Sequence, residues 1–100
     1  MAKYKVYISP QAYREIDDIY LYIKEELLAS KAAMDLVTDI EEAILSLDEH
    51  PDRGAERKVG AYAYQGYRQL FVRNYTIVYR VDQKKKDVMI ITVRYSHSDF

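Results

Sequence analysis

The sequence has no cysteine and no tryptophan, and only three glycines, two prolines and two histidines in 100 residues. Without cysteine there are no disulfides, no cysteine-ligated zinc and no thiol nucleophile. The scarcity of Gly and Pro leaves no flexible linker, and no repeat or low-complexity segment is present. No apolar run approaches the roughly 20 residues of a membrane span, and Met1-Ala2-Lys3-Tyr4-Lys5 does not begin a signal peptide. Phosphate-binding loops, dinucleotide glycine fingerprints and paired histidines at helical spacing are all missing. The expectation is a single cytoplasmic domain spanning 1–100, without metal, cofactor or membrane partner.

What is present is globular in balance, with 49% hydrophobic and 31% charged residues. A chain of this length buries about two-thirds of its unfolded surface, enough for a core without covalent staples. The net charge of -1 conceals an asymmetry: residues 1–50 carry five Lys+Arg against eleven Asp+Glu, and residues 51–100 carry ten against five. Such halves either serve two different partners or pair with one another.

Hydrophobic periodicity orders the chain. Lys3 to Ile8 alternates, with Tyr4, Val6 and Ile8 on one face, as a half-buried strand does. Ser9-Pro10 reads as an N-cap followed by proline at the first helical position. Ala12, Ile16, Ile19, Tyr20, Ile23 and Leu27 then recur at helical spacing and predict an amphipathic helix near 10–28. Ser30 is placed to cap a second helix, with Ala33, Leu36, Val37, Ile40, Ala43, Ile44 and Leu47 as its apolar stripe. His50-Pro51-Asp52-Arg53-Gly54 ends that helix. Ala55–Gly60 reads as a loop, and the tyrosine-rich stretch 61–72 as extended chain broken at Gly66. Arg73-Asn74 is a hairpin turn, Tyr75–Val81 a strand, and Asp82–Lys86 a charged turn. Asp87–Tyr95 is the most apolar strand and the expected centre of the sheet. The order β-α-α-β-β-β predicts an α+β fold, a helix hairpin packed on one side of a small, twisted, mainly antiparallel sheet.

Four arginines, Arg68, Arg73, Arg80 and Arg94, lie on or at the ends of predicted strands, with Tyr67, Tyr75, Tyr79 and Tyr95 beside them. An arginine in a β-rich run must reach solvent, pair with a carboxylate or face an anionic ligand. For Arg80 the candidate carboxylates are Glu15, Asp17 and Asp18. Aromatics beside arginines also suit base stacking and phosphate contact. His50 reads as a cation at a helix C-terminus. Ser96-His97-Ser98-Asp99 is a triad in spelling only, because neighbouring side chains point apart. Eleven tyrosines are many for 100 residues. Tyr62, Tyr64 and Tyr67 are hard to hide together and fit either an exposed edge or a partner's interface.

Ile19-Tyr20-Leu21-Tyr22-Ile23, Leu47-Asp48-Glu49-His50-Pro51-Asp52-Arg53-Gly54, Gly66-Tyr67-Arg68-Gln69-Leu70-Phe71-Val72 and Asn74-Tyr75-Thr76-Ile77-Val78-Tyr79-Arg80-Val81-Asp82 occur in an order that resembles the RelE/ParE toxin superfamily of bacterial type II toxin–antitoxin modules. The resemblance covers nearly the whole chain. It implies a cognate antitoxin partner, whose C-terminal segment wraps and neutralises the toxin, and a target that divides the superfamily. ParE-like members poison DNA gyrase, and RelE-like members cleave mRNA on the ribosome. The acidic helix hairpin looks more like ParE. An arginine that RelE-like toxins carry just after the strand turn falls on Thr76 here, and a second falls near Ser96. Arg94-Tyr95-Ser96-His97 faintly resembles the ending of YoeB-like ribonuclease toxins, with Ser96 interposed. The resemblance therefore implies a ParE-like gyrase inhibitor, with Arg68, Arg73, Tyr75 and Tyr95 as target contacts and Tyr62, Tyr64 and Tyr67 as antitoxin contacts. The alternative is a ribosome-dependent mRNA endoribonuclease with His97, Arg94 and Arg80 as catalytic residues.

Overall fold

The computed structural model describes residues 3–97. Strand β1 (Lys5–Ile8) leads into helix α1 (Pro10–Leu21), which continues as a π-helical turn at Tyr22–Glu26. Helix α2 (Ser30–Leu45) follows and tightens into a 3₁₀ turn at Ser46–Asp48. Strands β2 (Ala55–Glu56), β3 (Arg68–Val72), β4 (Tyr75–Asp82) and β5 (Asp87–Tyr95) complete one five-stranded sheet in the order β1-β5-β4-β3-β2. β1 runs parallel to β5, and the other pairings are antiparallel. The fold is the α+β arrangement that the periodicity predicts, with one strand more. β2 is two residues long and lies within the stretch read as loop, too short for any alternation to show.

The helices cover one face of the sheet. Ala12 and Ile16 of α1 and Leu36, Ile40 and Ile44 of α2 pack with Leu70, Ile77, Tyr79, Val88, Ile90 and Val93 as one core. Ser9 caps α1 as expected, its Oγ accepting from the Ala12 N–H at 3.1 Å. Ser30 does not cap α2. It is the first helical residue, and the cap position falls on Ala29, with no side-chain hydrogen bond. The chain reaches that point through Leu28 at φ 52°, two residues beyond the π turn, and alanine at the cap position has no side-chain oxygen to accept a hydrogen bond.

The stretch 61–72 is not continuous strand. Residues 61–66 form turns, with Gly60, Tyr62, Tyr64 and Gly66 all at positive φ, and strand geometry starts only at Arg68. Left-handed residues cannot keep the period-2 alternation of a strand. Buried Arg57 fastens this turn: its Nε donates to the Ala61 carbonyl and its Nη1 to Gln69 Oε1 at 2.9 Å. Burial, then nearby Arg94, pull its pKa below the usual arginine value.

β5 carries one extra residue at Ile91, because Val78 pairs with Thr92 while Tyr79 pairs with Ile90. This bulge brings Val88, Ile90 and Val93 all onto the core face. β1 ends opposite Ile90, so the rest of that β5 edge lacks a neighbouring strand. The start of α1 takes its place. Ser9 Oγ donates to the Ile91 carbonyl at 2.9 Å, and Glu15 Oε1 accepts from the Val93 N–H at 3.1 Å. Edge groups that would otherwise be unpaired are thereby satisfied.

The two oppositely charged halves meet where Arg73 reaches Asp39 and Arg94 reaches Glu15, while Lys3 pairs with Asp48 and Glu49 inside the acidic half. Among the described residues no helix is long and apolar enough to cross a membrane.

Candidate functional site

Where β4 begins and β5 ends, the helix hairpin and the sheet splay apart around a cleft of about 970 Å³. Ile19 and Ile23 from the α1 side, Leu36 from α2 and Val93 from β5 form its apolar wall, and Tyr22, Tyr75 and Tyr95 supply the aromatic part. Apolar walls with a few convergent polar groups are what a binding cleft requires. Tyr75 and Tyr95 are cross-strand partners that meet edge to face at 5.7 Å. His97 lies on the far side of Tyr95, ring to ring at 5.2 Å. Burial, then the neighbouring Tyr95 and Tyr22 hydroxyls, push the Tyr75 phenol above its usual pKa, so it stays a neutral donor at physiological pH.

Both cleft arginines are held by carboxylates of the hairpin. Arg73, at φ 53° in the β3–β4 turn, bonds Asp39 of α2. Arg94 Nε lies 3.2 Å from Glu15 Oε2 and 3.1 Å from Thr92 Oγ1. Glu15 also accepts from the Thr92 hydroxyl at 2.6 Å. The carboxylate expected for Arg80 thus belongs to Arg94. Arg80 is exposed on the helix-free face, its guanidinium 5.9 Å above the Tyr67 ring.

Thr76 and Ser96, on the other face of the same strand ends, join their hydroxyls at 2.8 Å. The Ser96 N–H also donates to the Asn74 carbonyl at 2.7 Å. Thr76, the position the resemblance assigns to one RelE-like arginine, and Ser96, near which it puts the second, are therefore adjacent in space and form a neutral pair.

The structure brings Arg73, Tyr75, Arg94, Tyr95 and His97 to one end of the sheet and leaves the other named residues elsewhere. Arg94 pairs across from Thr76, and Arg80 lies four residues further along β4, a separation of about 13 Å at the strand rise. Arg80 therefore does not converge with Arg94 and His97 as the ribonuclease set required. Arg68 turns to the helix side and donates to the Gly54 carbonyl at 2.6 Å, a fastening inside the fold. Tyr62 and Tyr67 pack edge to face at 5.0 Å within the 61–66 turn region, and Tyr64 is 73% exposed. Ser98 and Asp99 of the Ser-His-Ser-Asp sequence lie outside the described residues. Tyr22 is a cleft residue that the sequence reading did not single out as one, and Glu15, weighed there only as a partner for Arg80, lines the cleft beside Arg94 instead. Among the described residues no group of His, Asp or Glu could hold a metal ion.

A helix hairpin on a five-stranded sheet of this kind is shared with solved proteins from toxin–antitoxin modules. The computed fold is similar to the chromosomal ParDE TA system from P. aeruginosa, at TM-score 0.75 and 22% identity, covering 95% of this chain and 98% of that one. It is similar to the RelBE toxin–antitoxin complex from Mycobacterium tuberculosis at TM-score 0.68 and 18% identity, covering 93% and 98%. It also resembles the YoeB/ParE toxin from Agrobacterium tumefaciens at TM-score 0.59 and 19% identity, covering 91% and 96%. At these identities the likeness establishes the fold. No curated protein matches the sequence significantly. The family model described as the ParE toxin of the type II toxin–antitoxin system parDE matches residues 6–100, and the chain belongs to that family.

Proposed function

We propose that this toxin arrests growth by inhibiting DNA gyrase as a binding protein, and that a cognate antitoxin neutralises it. The observation that carries the reading is the Thr76–Ser96 hydroxyl pair at 2.8 Å. Cleavage of RNA by its own 2′-hydroxyl needs cations on the phosphate and an acid–base pair. Here Thr76, likened to one RelE arginine, and Ser96, near the place of the other, carry no charge. The two cleft arginines are already matched to Asp39 and Glu15. Solved relatives that are toxin–antitoxin complexes support an antitoxin partner. We place its contacts at the cleft tyrosines and at the Tyr62, Tyr64 and Tyr67 turn, where Tyr64 offers an exposed ring. Purified toxin added to gyrase is expected to block supercoiling of relaxed plasmid, and excess antitoxin to restore it. Normal supercoiling at saturating toxin would contradict the proposal.

One observation favours the ribosome-dependent endoribonuclease instead. Arg94, Tyr95 and His97 gather at the same strand end, with the His97 ring tilted against Tyr95. That reading predicts mRNA cleavage in a translating extract, lost in His97→Ala. Intact mRNA in a competent extract would dismiss it.

A further inference from the structure

The hairpin has a second groove, on the side away from the cleft and unrelated to the tyrosine cluster. It runs between α1 and α2 and encloses about 510 Å³. Tyr13 on one bank and Met34, Val37 and Leu45 on the other are its apolar lining, and Asp17 and Glu41 stand among them. The spacing from Met34 to Leu45 corresponds to about 16 Å of helix, or three turns. Tyr13, Met34 and Leu45 are 58%, 53% and 65% exposed. Three large side chains left in water along one groove are costly unless something covers them, and this is how a helix-receiving groove looks. The groove's own lining carries two charges, Asp17 and Glu41, both acidic, and no basic side chain.

From the apolar floor and the acidic banks we infer that this groove receives a basic amphipathic helix of the toxin's target, its apolar face on Met34 and Leu45 and its Lys or Arg residues against Asp17 and Glu41. The inference rests on the gyrase reading for the identity of the target. An acidic helix is repelled by the banks, and a fully polar one leaves the floor wet. Neither satisfies both features, whereas a helix with one apolar face and basic flanks does. The target would thus be gripped on a face that the cleft tyrosines do not line.

The test has two arms. The first uses the purified toxin and a synthetic amphipathic peptide of about four helical turns, leucine on one face and lysine on the other, by calorimetry. Saturable one-to-one binding with a negative heat-capacity change is expected, weakened at least about tenfold by Met34→Ser/Leu45→Ser. These substitutions leave every charge in place. Absence of saturable binding, or affinity within about twofold of wild type in the double variant, would overturn the inference, because the attraction would then be charge alone. The second arm measures gyrase supercoiling. The double variant, folded by circular dichroism, is expected to lose inhibition that the wild type shows. Inhibition retained in the double variant overturns the groove as the target's dock. Absence of inhibition by the wild type overturns the gyrase reading, and the peptide arm still decides the groove.

Discussion

At the Gly54 corner, Tyr79 and Arg68 turn inward. Tyr79 is fully buried, its hydroxyl donating to the Pro51 carbonyl at 2.8 Å and accepting from the Gly54 N–H at 2.9 Å. Arg68 closes the same corner on the Gly54 carbonyl. At the other end of β4, Tyr75 and Tyr95 border an open cleft, and Arg73 and Arg94 stand at its rim on Asp39 and Glu15. Tyrosine and arginine therefore serve two purposes on one sheet, separated by four residues of one strand. Where every polar atom is satisfied by backbone, the side chain is a fastener. Where the rings face an opening, the same residue types become a surface. The residue types alone did not separate the two.

The comparison predicts large stability effects at the corner and small ones at the cleft. Gly54→Ala is the largest. A Cβ there would sit 2.5 Å from the Gln69 carbonyl oxygen and 2.6 Å from the Tyr79 hydroxyl, so backbone must move. A loss of roughly 3 kcal/mol in urea denaturation is expected, at the upper end of overpacking costs. Tyr79→Phe follows, with about 2 kcal/mol lost, because the Gly54 N–H and Pro51 carbonyl are left buried and unpaired.

Tyr79 also governs alkaline stability. Burial raises its pKa, with the Gly54 N–H and Arg68 pulling it back in part. The unfolded phenol ionises near pH 10 while the folded one stays neutral, so stability is full below about pH 10 and falls as pH rises towards the folded value. Tyr79→Phe is expected to flatten that alkaline decline relative to wild type in denaturation curves between about pH 9 and 11.

Glu15→Ala is intermediate. It strands the Val93 N–H and releases Thr92 and Arg94, for a loss of about 1–2 kcal/mol by thermal denaturation, and Glu15→Gln, which keeps an accepting oxygen, should lose less. The smallest stability effect is at the cleft. Tyr95 is 46% exposed, so Tyr95→Ala should shift stability by no more than about 1 kcal/mol. It should nonetheless weaken antitoxin binding about tenfold or more by calorimetry, as loss of a central aromatic anchor does. Equal stability losses at Tyr79 and Tyr95 would erase the distinction between the two ends.

Long periodic segments were readable in advance. The α2 stripe, the α1 stripe as far as Ile23, the Ser9-Pro10 start of α1 and the Arg73-Asn74 turn stand where the pattern put them, whereas Leu27, expected in the first stripe, lies beyond the helix and is exposed. What escaped depends on contacts distant in sequence. The bulge at Ile91 lies where β1 ends opposite Ile90 and α1 continues along the edge. Nothing local to Asp87–Tyr95 signals it. The same edge decides that Glu15 meets Arg94 rather than Arg80. Tyr62 and Tyr64 look like strand residues by type but sit at φ 70° and 55°, held by Arg57 bonded to Ala61 and Gln69. The tyrosines and arginines of the cleft were named from sequence. Of their helix-side partners, Glu15 was weighed only for Arg80, and Tyr22 and Asp39 were not named as site residues, because the cleft exists only once the hairpin is folded onto the sheet.

The most direct test of the account follows DNA and protein synthesis by separate pulse labels in cells after induction of the toxin without its antitoxin. Early arrest of DNA synthesis while protein synthesis continues is the predicted result. Early collapse of protein synthesis, with mRNA cleaved and His97→Ala harmless, would contradict it and make the Arg94–Tyr95–His97 end a ribonuclease site.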